Sequence, residues 1–149
     1  ASLTSFCKSL KDQEHDLGLI IVDYLQLLKG SSQNRNQNRE QEVSEISRSL
    51  KLLAKDCECP VVCLTQVNRD AEKRQDKRPG LSDLRESGSL EQDADAVMML
   101  YRDDYYNKEF SSDAGILEVI VAKNRHGSLG TAKVRYDRAN QKISDLQDY

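Results

Sequence analysis

Several things are scarce in this 149-residue chain: tryptophan is absent, cysteine occurs four times, glycine seven times and proline twice. Four cysteines are too few for a disulfide scaffold of this length. Cys7, Cys57, Cys59 and Cys63 form no C-x2-C pair, and His15 and His126 are not spaced for a metal site, so the thiols read as buried or incidental packing residues. The longest apolar stretch, Gly18 to Leu28, is broken by Asp23 and Gln26, which excludes a membrane span. No basic start followed by an apolar segment marks a signal peptide, and a cytoplasmic protein is expected. An excess of one charge is also missing. Twenty-two Lys and Arg against 25 Asp and Glu leave a net charge of −3, so any attraction to nucleic acid has to come from local patches. There is no internal repeat and no heptad run. The length suits one domain, residues 1–149, although Ala1 stands where an initiator Met belongs and the chain is expected to be part of something larger.

What is present alternates between helical and strand patterns. Leu3, Phe6 and Leu10 fall on one face of an opening helix. The run Leu19-Ile-Ile-Val-Asp23 suits a strand buried on both faces, as in a parallel sheet covered by helices, with Asp23 near its carboxyl end. Lys29 to Arg39 holds three positive charges and neither an acid nor an apolar residue, which marks a surface loop. Val43, Ile46, Leu50, Leu53 and Cys57 then predict a helix over 40–57, with Glu40, Glu42 and Glu45 near its positive end. Pro60 to Gln66 reads as a second buried strand, and strand, helix, strand in that order implies a βαβ crossover. Strands follow at 96–101 and 116–122, and 133–136 with 143–146 form a terminal hairpin.

Four groups of residues carry chemistry. Four apolar residues and an acid, ending in Asp23, have the pattern of a Walker B strand, where a rigid carboxylate orients the water shell of a Mg2+ on nucleotide phosphates. A strand-end acid with a local hydrogen bond is the plainer alternative. Gln66, 43 residues on, ends the next strand and would face the same crevice, to sense a γ-phosphate or simply to cap a turn. Arg85, Glu86 and Gly88 lie in a polar segment whose backbone N–H groups and guanidinium suit a phosphate, or else precede a short capped helix. Lys123 and Arg125 leave a strand directly, which suits cations presented to a neighbouring subunit's nucleotide, or a charged hairpin turn. Tyr105 and Tyr106 could stack bases or sit in a solvated loop.

Together these segments resemble the C-terminal motor domain of the bacterial replicative DNA helicases, the DnaB family. The resemblance is carried by Ile21-Val-Asp23-Tyr-Leu-Gln-Leu27, Thr65-Gln66, Lys77-Arg-Pro, Asp83-Leu-Arg-Glu-Ser-Gly-Ser89 and Ala122-Lys-Asn-Arg-His-Gly127, in that order. It implies an α/β, RecA-like, mostly parallel sheet flanked by helices, a partial domain ending in a β-hairpin. The implied activity is a homo-hexameric helicase that uses ATP and Mg2+ to move 5′ to 3′ along single-stranded DNA and unwind duplex during replication, with primase and a helicase loader as partners. By position, Asp23 then matches the Walker B acid, holding Mg2+ through water, and Gln66 the nucleotide sensor. Arg85, Glu86 and Gly88 match the loop that holds the DNA backbone, and Lys123 and Arg125 the cations reaching a neighbour's nucleotide in trans. The Lys29–Arg39 loop matches another channel-facing loop. A phosphate-cradling G-x-x-x-x-G-K-[ST] string is absent, so these 149 residues by themselves are expected to be inactive. A RecA-like recombination or repair ATPase and a non-enzymatic interaction module are the alternatives.

Overall fold

The computed structural model describes residues 2–13, 16–23, 25, 28, 39–84 and 88–146. The chain divides into two compact units, Ala1–Asn68 with Leu84–Ala94, and Arg69–Asp83 with Asp95–Tyr149.

The first unit holds α1 (Leu3–Asp12), β1 (Ile20–Val22), α2 (Arg39–Cys57), β2 (Val61–Cys63) and α3 (Gly88–Asp93). β1 and β2 pair in parallel, Ile20 opposite Val61 and Val22 opposite Cys63, with α2 as the crossover between them. α2 forms where the sequence predicts it. Its buried residues are Val43, Ile46, Ser47, Leu50, Leu53 and Cys57, one stripe at three- and four-residue spacing. That stripe meets Ile20, Val22 and Leu25 from the sheet, with Cys7 and Cys59 closing the core. Ser47 is the polar member of the stripe; its hydroxyl donates to Asp93 Oδ2 at 2.7 Å, and Ser44 and Ser89 hydroxyls meet at 2.8 Å, so α3 is seated on α2 by serines.

Two expectations about faces are corrected. In α1 the buried residue is Cys7, whereas Leu3 and Phe6 are exposed. Lys8 Nζ lies 2.7 Å from Asp56 Oδ2 and Lys11 Nζ donates to the Asp56 carbonyl at 3.2 Å, at the negative end of α2. These contacts lie beside Cys7, which packs into the core formed with α2, and Phe6 faces away from it. The second correction concerns β1, which is covered on one face only: Ile20 and Val22 are buried, whereas Ile21 is 63% exposed, and Val62 and Leu64 are exposed on β2 and just beyond it. Alternate residues of a strand face opposite ways, and among the described residues one helical layer covers one face.

The second unit contains β3 (Ala96–Tyr101), α4 (Asp103–Asn107), β4 (Ile116–Asn124), β5 (Gly130–Asp137) and β6 (Lys142–Asp145), with short 3-10 turns at Arg69–Lys73, Leu81–Asp83 and Lys108–Phe110. The strands form an antiparallel meander in the order β3-β4-β5-β6. The terminal hairpin is as expected, and Asp137 closes its turn by accepting from the N–H groups of Ala139 and Asn140. The α/β class holds. Parallel pairing, expected for most of the sheet, is confined among the described strands to β1 and β2.

Leu53 is 1% exposed and Leu52 beside it 54%. Leu53→Ala is therefore expected to cost about 2–5 kcal/mol, and Leu52→Ala at most a small fraction of that, read as shifts in the denaturant midpoint of the chain.

Candidate functional site

Asp23 follows β1 directly and is exposed. The ladder continues on either side of it: Leu64 N–H donates to the Val22 carbonyl and Leu25 N–H to the Leu64 carbonyl, both at 2.9 Å. Those two bonds fix the backbone at Asp23 against β2. Gln66 stands two residues beyond Leu64, also exposed. The two polar residues therefore occupy the carboxyl end of one parallel pair, the place where open α/β sheets hold ligands. Asp23 places an exposed carboxylate at that end. Among the described residues no group of three or more His, Cys, Asp or Glu side chains could hold a metal ion by itself.

Val67, immediately after Gln66, forms an antiparallel bridge with Leu84. Leu84 is the residue before Arg85. The bridge thus brings the end of β2 to the root of the polar loop. Arg85 and Glu86 lie outside the described residues, as does 29–38 of the basic loop. Gly88 opens α3, exposed, and a side chain there would meet nothing within 4 Å. Packing does not demand glycine at that position. Arg39, the described end of the basic loop, places Nη1 2.6 Å from Glu42 Oε2.

Lys123 lies in β4 opposite Val97, partly buried. Arg125 is in the turn that follows; its N–H donates to the Asp95 carbonyl at 2.8 Å, and its Nη1 is 3.0 Å from Asp95 Oδ1. Both side chains of that pair are about half exposed, so water competes for them and the pair can open at small cost. The turn wraps around Asn124, whose Oδ1 accepts from His126 N–H at 3.3 Å. A Cβ on Gly127 would come within 2.6 Å of Asn124 Nδ2, which is why the turn closes on glycine.

The connection from Arg69 to Asp83 contains the Lys77-Arg-Pro string and Asp83, for which the sequence suggested no partners. Asp83 is buried, and Arg74 grips it with Nη2 at 2.6 Å from Oδ2 and Nη1 at 3.2 Å from Oδ1, while Gly80 N–H donates to Oδ2 at 2.8 Å. Glu118, 4% exposed in the middle of β4, takes a second fork: Arg78 Nε to Oε2 at 2.7 Å and Nη2 to Oε1 at 2.8 Å. These guanidinium bonds hold both carboxyls below their usual range against the opposing effect of burial. A signal for Glu118 existed: it is the lone acid in an apolar strand, and a buried acid requires a partner. The tyrosines divide. Tyr106 stacks on Tyr101 with ring centres 5.8 Å apart and lies under Lys77, whereas Tyr105 is exposed. Burial and a hydrogen bond to Asp103 push the Tyr101 hydroxyl up to about 12. Tyr101 also lines, with Leu100, Arg102, Tyr106, Leu117 and Tyr136, an open cavity of about 400 Å3.

The four cysteines are free, Cys7, Cys57 and Cys59 buried in the core, as expected for packing residues. Burial raises the pKa of the Cys7 and Cys63 thiols.

Residues 1–145 match the family described as DnaB-like helicase C terminal domain. The chain belongs to this family. It is 55% identical over 141 residues to the replicative DNA helicase DnaB of Geobacillus stearothermophilus and 52% identical over 141 residues to the replicative DNA helicase DnaC of Bacillus subtilis. Each alignment covers 95% of this chain and 30% of the relative, so the chain spans under a third of the length of these curated relatives. Among solved structures, a DnaB-like replicative helicase described with its interactions with primase superposes with a TM-score of 0.90 at 43% identity, over 97% of this chain and 35% of that one. A second solved structure, described as an ATPase domain, superposes with a TM-score of 0.86 at 42% identity, over 97% of this chain and 51% of that one. The α/β, RecA-like reading of this DnaB-family chain rests on both.

The lowered carboxyls of Asp83 and Glu118 make stability depend on acid. Each contributes above the unfolded carboxylate pKa of about 4, and that contribution is lost as pH falls through the lower native value. The urea midpoint is expected to drop as pH is taken from about 5 to 3. Glu118→Gln should lower the midpoint at neutral pH and flatten part of that acid dependence.

Proposed function

We propose that this chain is part of the motor of a homo-hexameric replicative DNA helicase, which couples ATP hydrolysis to 5′ to 3′ movement along single-stranded DNA and strand separation. One arrangement carries the reading: Asp23 and Gln66 share the carboxyl end of β1 and β2, and the residue after Gln66 is bridged to the root of the Arg85 loop, in a chain of the DnaB-like family. The nucleotide and its Mg2+ supply the phosphoryl group and the divalent charge when bound. Asp23, at the end of β1, would hold a bound Mg2+ through water. Gln66 hydrogen-bonds near the γ-phosphate, and its backbone passes the state of that contact through Val67 to Leu84 and the loop beyond. Arg85 meets DNA phosphates with charge-assisted bonds, with Glu86 and Gly88 shaping the loop around them. Lys123 and Arg125 face a neighbouring subunit's nucleotide; Arg125 exchanges Asp95 for the phosphate, a trade that its half-exposed pair permits. The cellular setting is the cytoplasm, with primase and a helicase loader as partners of the whole hexamer.

Because a G-x-x-x-x-G-K-[ST] loop is absent, the 149-residue chain alone is expected to bind ATP very weakly and not to hydrolyse it. Magnesium-dependent turnover by the purified chain, abolished by Asp23→Ala, would refute this. Activity is tested in a chimera in which residues 1–145 replace the matching segment of the Geobacillus stearothermophilus helicase. There Arg125→Ala should cut DNA-stimulated ATPase by about 10³-fold or more with nucleotide affinity nearly intact; equal loss of binding and turnover would assign Arg125 a structural role instead. Arg85→Ala should weaken single-strand binding at all sequences and reduce the slope of log K against log salt by about 0.7, one phosphate contact. An unchanged slope would remove Arg85 from the DNA contact.

A further inference from the structure

Glu118 faces Tyr101 on β3 and Lys133 on β5, so the three side chains form a row across the sheet. Arg78 lies over this row. Its fork closes on both oxygens of Glu118, and its guanidinium carbon stands 4.6 Å from the centre of the Tyr101 ring. Lys133 Nζ reaches Glu118 Oε1 only at 3.7 Å, so the guanidinium is the dominant partner. Lys77, the preceding residue, places its ammonium 5.0 Å over Tyr106, which is itself stacked on Tyr101. Two cation–π contacts and a bidentate pair with a buried carboxylate thus fasten the dipeptide to the sheet.

The series of contacts does not stop there. The Arg78 carbonyl accepts from Arg74 Nη2 at 3.1 Å, and Arg74 holds Asp83, the residue before Leu84 and hence at the root of the proposed DNA loop. At its other end, β4 runs from Glu118 to Lys123 and into the turn of Arg125. Charge-assisted hydrogen bonds, linked covalently through Arg78, therefore join the strand that presents the two proposed trans-acting cations to the residue that launches the loop.

We propose that Arg78, with Glu118, is a positioning residue for the motor: it fixes the root of the DNA loop to β4, so that DNA binding at the loop alters how Lys123 and Arg125 engage a neighbour's nucleotide. The proposal rests on the reading of the Arg85 loop and of Arg125 given above. A guanidinium is required because two parallel bonds set orientation as well as distance; an ammonium keeps the charge and loses the fork.

The test uses the chimera described above, comparing unsubstituted protein with Arg78→Lys, Glu118→Gln and the double variant. Basal ATPase, KM for ATP and hexamer assembly should remain within about twofold, while stimulation by single-stranded DNA falls about tenfold in each single variant and no further in the double, the non-additivity of a pair that acts as one unit. Retained stimulation in both single variants would overturn the proposal, and so would a proportionate loss of basal and stimulated turnover. Loss of assembly in both would mark the pair as structural and overturn it too. A chimera without any DNA-stimulated turnover before substitution would instead refute the helicase reading, and the positioning role with it.

Discussion

A carboxylate in the middle of an apolar strand cannot be left alone, and much of the second unit is organised around that constraint. Glu118 is buried in β4 and ionised, and desolvating it without a partner would cost several kcal/mol. Arg78 supplies the partner from the Arg69–Asp83 connection, which is thereby held against the sheet. Tyr101, Tyr106 and Lys77 stack around the same point, and Arg74 ties the Arg78 carbonyl to Asp83. One buried charge gives a polar, solvent-rich segment a defined course.

The first unit obeys a different constraint. Its core is a single helical stripe laid against one face of a two-stranded parallel pair, and serine hydrogen bonds together with Leu90 seat α3 on it. Hydrogen bonds continue past the short strands to Leu64 and Leu25, so the backbone around Asp23 is set by the ladder and not by loop conformation. That is how a strand of three residues can hold the backbone of a carboxylate in place at the carboxyl end of the pair. The Val67 and Leu84 bridge then converts proximity in the fold into proximity between Gln66 and the beginning of the Arg85 loop.

In the proposed motor, events at nucleotide phosphates have to be connected with events at DNA. Within this chain two physical connections suit that requirement. One is the backbone path from Gln66 through the bridge; the other is the series of guanidinium and carboxylate contacts from β4 to Asp83. Arg125 meets Asp95 of its own chain in a half-exposed pair, a contact that water weakens.

Local features were legible in the sequence. The three- and four-residue spacing from Val43 to Cys57 specified α2, the apolar run closed by Asp23 specified β1, and the position of Gln66 after the next apolar run put both at strand ends. The strings Asp83 to Ser89 and Ala122 to Gly127 carried the family. Periodicity and turn chemistry act over a few residues, so neighbouring residues suffice to reveal them. Which face of an element is covered does not work that way. Phe6 and Ile21 are apolar and exposed, because the side from which α2 approaches decides what is buried. Arg78 and Glu118 are 40 residues apart, and no local pattern distinguishes Arg78 from Arg69 or Arg74 as the partner of that acid. The sequence by itself determined α2, the strands and their order, although β2 ends at Cys63, three residues before Gln66. Tertiary structure alone decided which faces meet and which charges pair, because burial and desolvation depend on what distant segments bring to the same place.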